Sequence, residues 1–223
     1  MKGLLSLFLC LCLGFSRPVY RNDPERQIFC CFPNDEKKIA LTFDDGPHPR
    51  YTEEILSILE KYGVKATFFA IGENVTYYPE TFEKIRRAGH EIGNHTFSHP
   101  HLHQKDHGAL AKEIQAAEDV LGSTPDIKLF RPPEGVCSDT VCGAASEMGY
   151  TIILWTVDTR DWSHPNPDTI VEKVQQSVKS GDIILFHDYI ADPSPTPEAL
   201  DKIIPALLGQ GYRFVTVSQL IGA

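Results

Sequence analysis

The sequence predicts an α/β protein: one parallel sheet, covered by helices and rolled into a closed or nearly closed barrel of seven to eight strands. An open doubly wound sheet is the alternative. Three observations carry that prediction. Strand-like and helix-like segments alternate from Lys37 to the C-terminus. Several strand-like segments are apolar on both faces, as strands buried between helices are. Titratable residues collect just past the strand segments, where barrels place their chemistry.

The elements follow in order. "KIALTF" (38–43) is a short apolar strand. "YTEEILSILEKYG" places Ile55, Leu56, Ile58 and Leu59 at helical spacing and stops at Gly63. "ATFFAIG" is strand-like, "YPETFEKIRRAG" helical, "HEIGNH" a strand, and "KDHGALAKEIQAAEDVLG" a helix closed by glycine. "IKLF" is strand-like. Ser138 is a good N-cap for a helix from Asp139 to Met148. Then come strand "TIILWTV", helix "PDTIVEKVQQSVKSG", strand "DIILF", helix "TPEALDKIIPALLGQG" and strand "YRFVTV".

A chain of 223 residues with 42% apolar content suits one domain with a sizeable core. The formal charge of −9 argues against nucleic acid and against an anionic membrane surface as main partner. Residues 1–16 read as a secretory signal peptide: Lys2, an apolar run from Leu4 to Phe15, and small residues Gly14 and Ser16 before a cut at Arg17. The run is short for a comfortable bilayer span, which takes about 20 residues, so no stable membrane insertion is expected after cleavage; an uncleaved N-terminal anchor is the alternative. Cys10 lacks the small residue expected before a lipoprotein cysteine. Residues 17–36 read as a polar, irregular lead-in, and 37–223 as the one folded domain, which carries the candidate chemistry. A secreted, cell-wall-associated monomer is the expectation.

Of the cysteines beyond residue 16, Cys30 and Cys31 are adjacent and unsuited to pairing with each other. Cys137 and Cys142 fall at the two positions that flank a helix start at Ser138 and that a hydrophobic staple brings together. They are expected either to form a disulfide or to pack as two small apolar residues.

The chemistry sits at five strand ends. Asp44 continues the face of Ala40 and Thr42 into the barrel, and the Gly46-Pro47 turn swings Asp45 round beside it. Two carboxylates so close call for a cation. His95 and His99 are spaced so that one helical turn would align both rings, though Pro100 ends any such turn at His99. With Asp45 they make a two-histidine, one-carboxylate set, a catalytic rather than structural metal arrangement, suited to Zn²⁺ with Co²⁺, Ni²⁺ or Fe²⁺ as alternatives. His101, His103 and His107 read as exposed loop histidines. His187 is a candidate general acid or base, with Asp158 or Asp161 to orient it. Arg131 is placed to fix a carboxylate by a bidentate bond.

These residues form a pattern. "LTFDDGP" (41–47), "HTFSH" (95–99), "RPPEG" (131–135), "DTRDW" (158–162) and "LFHD" (185–188) resemble, in order, the five motifs of the polysaccharide deacetylase family, also called NodB-homology or carbohydrate esterase family 4. The resemblance runs from Lys38 to Val217. It implies a distorted (β/α) barrel and metal-dependent hydrolysis of acetyl groups on N-acetylated glycans of the peptidoglycan or chitin type, by attack of a metal-activated water. It implies Asp45, His95 and His99 as ligands of one divalent ion, Asp44 as general base held by Arg131, and His187 as general acid with Asp161 behind it. Pro133, Glu134, Trp162 and Leu185 are then substrate-binding: Trp162 and Leu185 flank the acetyl methyl, and the Glu134 backbone N–H meets the oxyanion. One departure stands out, because the third motif usually carries Tyr where this chain has Glu134. A backbone donor survives that change, and the carboxylate should disfavour anionic substrates and favour partly deacetylated ones. An O-acetyl esterase on xylan would use the same residues, and a non-catalytic glycan binder is the remote alternative.

Overall fold

The computed structural model describes residues 21–122 and 127–222. The expected signal peptide and the first residues of the lead-in lie outside them. In chain order the elements are β1 (Ile28–Phe29), β2 (Lys38–Asp44), α1 (Tyr51–Lys61), β3 (Thr67–Ala70), α2 (Gly72–Tyr77), α3 (Pro79–Arg87), β4 (Glu91–Asn94), α4 (His107–Leu121), β5 (Lys128–Phe130), α5 (Asp139–Glu147), β6 (Tyr150–Ile153), β7 (Val157–Asp158), α6 (Pro167–Ser177), β8 (Ile183–His187), α7 (Thr196–Gly209), β9 (Arg213–Phe214) and α8 (Val217–Ile221).

Eight strands form one all-parallel sheet in the order β1-β6-β5-β4-β3-β2-β8-β7, and β9 pairs with the start of β2. The sheet is curled and helix-covered, the distorted barrel that the sequence predicts. The alternation along β2 shows how this positions the site. Ile39, Leu41 and Phe43 pack outward with α1 and α7, burying apolar area that is the main driving force for the layer. Ala40, Thr42 and Asp44 take the other face, and Arg131 meets Thr42 and Asp44 there. Among the described residues no helix is long and apolar enough to cross a membrane.

Four expectations are corrected. The lead-in is not irregular throughout. Ile28 and Cys30 are buried, β1 pairs in parallel with β6, and Phe32 N–H bonds Gly181 O, so this segment stitches β6 to the start of β8. Its polar composition hid a two-residue strand too short to show a period. "TIILWTV" is two strands rather than one, because its hydrogen-bond partner changes. Leu154 N–H still bonds Phe29 O, while Thr156 N–H bonds Ile183 O and β7 continues along β8. "YRFVTV" is a strand only at Arg213–Phe214. Thr216 and Gln219 form a reciprocal capping box that starts α8 at Val217. Finally, α2 was not foreseen in "GENVTY". Its first N–H groups are taken by Thr96 O and Phe97 O, a tertiary cap.

The helix at Ser138 forms as expected, with the Ser138 side chain accepting Val141 N–H. Cys137 and Cys142 are joined in a disulfide, their Cα atoms 5.7 Å apart.

Candidate active site

A cleft of about 490 Å³ opens at the C-terminal ends of the strands, lined by Asp44, Asp45, His95, His99, Glu134, Trp155, Asp158, Trp162, Leu185 and His187. Asp44 and Asp45 come from β2, the histidine pair from the loop after β4, Glu134 from β5's end, Asp158 from β7 and His187 from β8.

Asp45, His95 and His99 converge, with one ligand atom of each within 4.8 Å of the others. Asp45 Oδ1 lies 3.4 Å from His95 Nε2 and 3.5 Å from His99 Nε2. Bonds of about 2.1 Å to a tetrahedral zinc place ligand atoms about 3.4 Å apart. Among the described residues Asp45 Oδ1 also has no hydrogen-bond partner, though it is buried, a state that costs free energy unless a cation or proton satisfies it. His95 is oriented for the task. Its Nδ1 is 2.6 Å from Arg131 O, so that nitrogen carries the proton and Nε2 keeps its lone pair toward Asp45. The three residues therefore fit a divalent cation.

The convergence is not achieved by a helical turn. Thr96 and His99 have φ of 68° and 50°, and Asp45 has φ of 75°, left-handed values that non-glycine residues adopt at a cost. The loop is held by hydrogen bonds instead. Asn94 Oδ1 accepts Thr96 N–H at 2.9 Å, Thr96 Oγ1 accepts His99 N–H at 3.1 Å, and Glu113 accepts both Phe97 N–H and Ser98 N–H. Glu113 lies on α4 and was missed because nothing in a helical glutamate's sequence context marks a distant loop as its partner.

Asp45's carbonyl accepts Asn74 Nδ2 at 2.7 Å. Beside it, Gly46 N–H and Thr52 Oγ1 both donate to Asp188, which is fully buried. A Cβ on Gly46 would sit 2.0 Å from Asp188 Oδ2, so only glycine fits this turn. Burial first, and the charge of Asp45, push the Asp188 carboxyl up to about 7 against its hydrogen bonds.

Arg131 is fully buried. Its Nη1 donates to Asp44 Oδ1 at 2.7 Å and to Thr42 Oγ1 at 2.8 Å, while Nε and Nη2 donate to the carbonyls of Ile153 and Leu154. Its guanidinium lies 4.2 Å over the Phe69 ring. The expected two-pronged grip on one carboxylate is thus spread over β2 and the β6–β7 step. That ties Asp44 to three parts of the sheet.

His187 is held by Asp161. The ring Nδ1–H donates to Asp161 Oδ1 at 2.7 Å, and its backbone N–H donates to Oδ2 at 2.8 Å. Thr196 Oγ1 and Trp162 N–H also donate to Asp161. Burial pulls the imidazolium down, but the charge and hydrogen bond of Asp161, with Asp45 and Asp44 beyond, push His187 up to about 10. Burial likewise opposes the charge on Asp45, yet His95, His187 and His99 hold its carboxyl at about 2. Asp158 lines the cleft but does not hold His187; it accepts Arg160 N–H.

Leu185 is buried in the cleft wall, and Trp162 is 47% exposed at its mouth. Pro133 opens the short turn that carries Glu134, whose φ is 56°. Gly135 N–H and Val136 N–H bond back to Pro132 and Pro133 carbonyls, and neither bond uses Glu134 N–H. Trp155 also lines the cleft. It was passed over because it sits inside an apolar run that reads as a continuous strand. His101 and His103 are exposed as expected, whereas His107 opens α4 instead of lying in a loop. His101 contacts Glu134.

A parallel barrel whose cleft joins an Asp/His/His set that could hold a cation, an arginine-held carboxylate and an aspartate-held histidine has the groups of a hydrolase. Residues 33–153 match the polysaccharide deacetylase family. A peptidoglycan-N-acetylglucosamine deacetylase of Bacillus cereus is 45% identical over 192 residues, 85% of this chain and 90% of its own. The Bacillus subtilis peptidoglycan-N-acetylmuramic acid deacetylase PdaC is 42% identical over 190 residues, covering 84% of this chain and 39% of that protein. The crystal structure of the Bc1960 peptidoglycan N-acetylglucosamine deacetylase superposes with a TM-score of 0.83 at 36% identity, over 88% of this chain and 94% of that one. The chain belongs to the polysaccharide deacetylase family, the NodB-homology hydrolases of carbohydrate esterase family 4.

Proposed function

We propose that the protein removes acetyl groups from N-acetylglucosamine units of peptidoglycan- or chitin-type glycans. The observation that carries this reading is the convergence of Asp45, His95 and His99 on one point, with Asp44 and His187 lining the same cleft. A divalent cation held by those three residues, zinc above all, would polarise the acetyl carbonyl and the attacking water.

The side chains supply the rest. Asp44, fixed by Arg131, takes the proton of the attacking water. The water oxygen joins the acetyl carbon, and the Glu134 backbone N–H is the donor for the developing oxyanion. The C–N bond breaks as His187 gives its proton to the departing nitrogen. An amine leaves poorly without that proton, and a histidine raised to about 10 by Asp161 holds it at neutral pH. Leu185 and Trp162 enclose the acetyl methyl. The products are acetate and a free amine on the sugar.

Acetate release from N-acetylglucosamine oligomers, peptidoglycan and acetylxylan, with and without EDTA and added Zn²⁺ or Co²⁺, tests the reading. Release from the first two that stops on chelation and returns with metal supports it. Turnover indifferent to complete metal removal would refute the mechanism, and release from acetylxylan alone would make the protein an O-acetyl esterase.

We also infer export. The composition of residues 1–16 supports it, as does the Cys137–Cys142 disulfide, a bond at home in oxidising compartments. The N-terminal residue of protein recovered outside the cytoplasm checks this: Arg17 is expected, and an intact Met1 would argue for a retained leader.

A further inference from the structure

The charges in the cleft do not all have partners of their own. Arg131 pairs with Asp44, His187 with Asp161, and the His95–His99 pair faces Asp45. Two carboxylates on the lining remain. Asp158, on β7, accepts the Arg160 backbone N–H and acts electrostatically on Lys173. Glu134, at the end of β5, meets among the described residues the ring of His101, whose Nδ1 lies 3.0 Å from Oε1. A carboxylate accepts, so that nitrogen carries the proton and aims the Glu134 head group. Side-chain exposure of 46% leaves Glu134 reachable from solvent and from whatever fills the cleft.

We propose that Glu134, positioned by His101 and assisted by Asp158, selects an already deacetylated sugar as neighbour of the acetylated unit in the cleft. The inference rests on the N-deacetylase reading. Hydrolysis of each acetamide leaves an amine that takes a proton and becomes an ammonium. Each turnover thus turns a neutral sugar into the cation that Glu134 attracts, while a neighbour bearing a carboxylate is repelled. Deacetylation then spreads from sites already opened instead of starting at random, and the preferred substrate is a partly deacetylated, cationic strand.

The test compares the metal-loaded enzyme with its Glu134→Gln variant, which keeps the backbone donor and the side-chain size. Two oligomers of N-acetylglucosamine serve as substrates, one fully acetylated and one with a free amine beside a single acetylated unit. The wild type is expected to favour the second in kcat/KM by about fivefold at low salt, the size of one partly screened charge contact. That preference should fall toward parity in high salt, and the variant should lack it at any salt. His101→Ala should give an intermediate ratio. Calorimetry with a fully deacetylated glucosamine oligomer supplies a readout independent of turnover, with Kd expected about fivefold weaker in the variant. Equal ratios and equal Kd values in wild type and variant would overturn the proposal. If the wild type releases acetate from neither oligomer, the N-deacetylase reading fails, and the calorimetric comparison alone decides whether Glu134 binds an ammonium.

Discussion

The two sides of the cleft are finished to different degrees. On the His187 side, Asp161 accepts from the His187 ring, the His187 backbone, Trp162 N–H and Thr196 Oγ1, all at 3.0 Å or less. Four donors leave that carboxylate little to gain from any guest. On the other side, Asp45 Oδ1 is buried without a hydrogen bond among the described residues, and Asp45, Thr96 and His99 all sit at left-handed φ. Each such residue costs about 1–2 kcal/mol, repaid through Asn74, Glu113 and Asn94. The acid side is organised by the fold alone. The Asp45 side is held by the fold with a carboxylate oxygen left unpaired among the described residues, the state that the proposed cation would satisfy.

The largest expected effect tests whether Asp44 belongs to chemistry or to ligation. Asp44→Asn should lower kcat by about 10²–10⁴, the usual worth of a general base, while metal content measured by elemental analysis stays at one per chain. Wild-type turnover would disprove the role, and lost metal would move Asp44 to the ligand side.

Asp161→Asn breaks the finished side. His187 stands at about 10 because Asp161's charge and hydrogen bond outweigh burial. Removing that charge leaves burial, which lowers a histidine's pKa, opposed by the weaker pull of Asp45 and Asp44. The protonated acid is then lost at lower pH, so the alkaline limb of kcat should move toward neutrality by about a unit or more. Rate–pH profiles of the metal-loaded enzymes check this; an unmoved limb would mean that another group supplies the proton.

The unfinished side answers to acid. Burial opposes a proton on His95, but Asp44 and Asp45 raise its pKa overall. The proton and the cation then compete for Nε2, so metal affinity should weaken as pH falls from 8 to 6, by up to about tenfold per unit for one linked proton. Calorimetric Kd values in two buffers would show it, and pH-independent affinity would remove His95 from the ligand set.

The smallest effect is expected at Glu113, which touches neither substrate nor ligand atoms. Glu113→Ala frees Phe97 N–H and Ser98 N–H and should weaken metal binding by about tenfold, the low end for residues that orient ligands from behind. Unchanged affinity would show that Asn94 and Thr96 hold the loop without help.

Much of this was legible in the chain. The strand–helix alternation gave the parallel barrel, and the polar residues past each strand marked the cleft, because a strand's end fixes where its next side chain goes. What escaped detection depended on partners far along the chain. The lead-in strand at Ile28 is recognisable only through β6, α2 only through the carbonyls of Thr96 and Phe97, and Asp188 only through Gly46 and Thr52. The split of "TIILWTV" has the same origin, since an apolar run does not state which strand it pairs with.

By itself the sequence determined the class of fold and the kinds of groups available: two histidines and an aspartate for a cation, a second aspartate, an arginine and a distant histidine. Local periodicity and turn chemistry suffice for that, because they act over a few residues. Only the tertiary structure decided how Asp161 grips both the ring and the backbone of His187, how His95 and His99 meet without a helical turn, and that Glu134 and Asp158 share one cleft. Those outcomes are set by close approaches of a few ångströms between segments separated by tens of residues, and no local pattern encodes such distances.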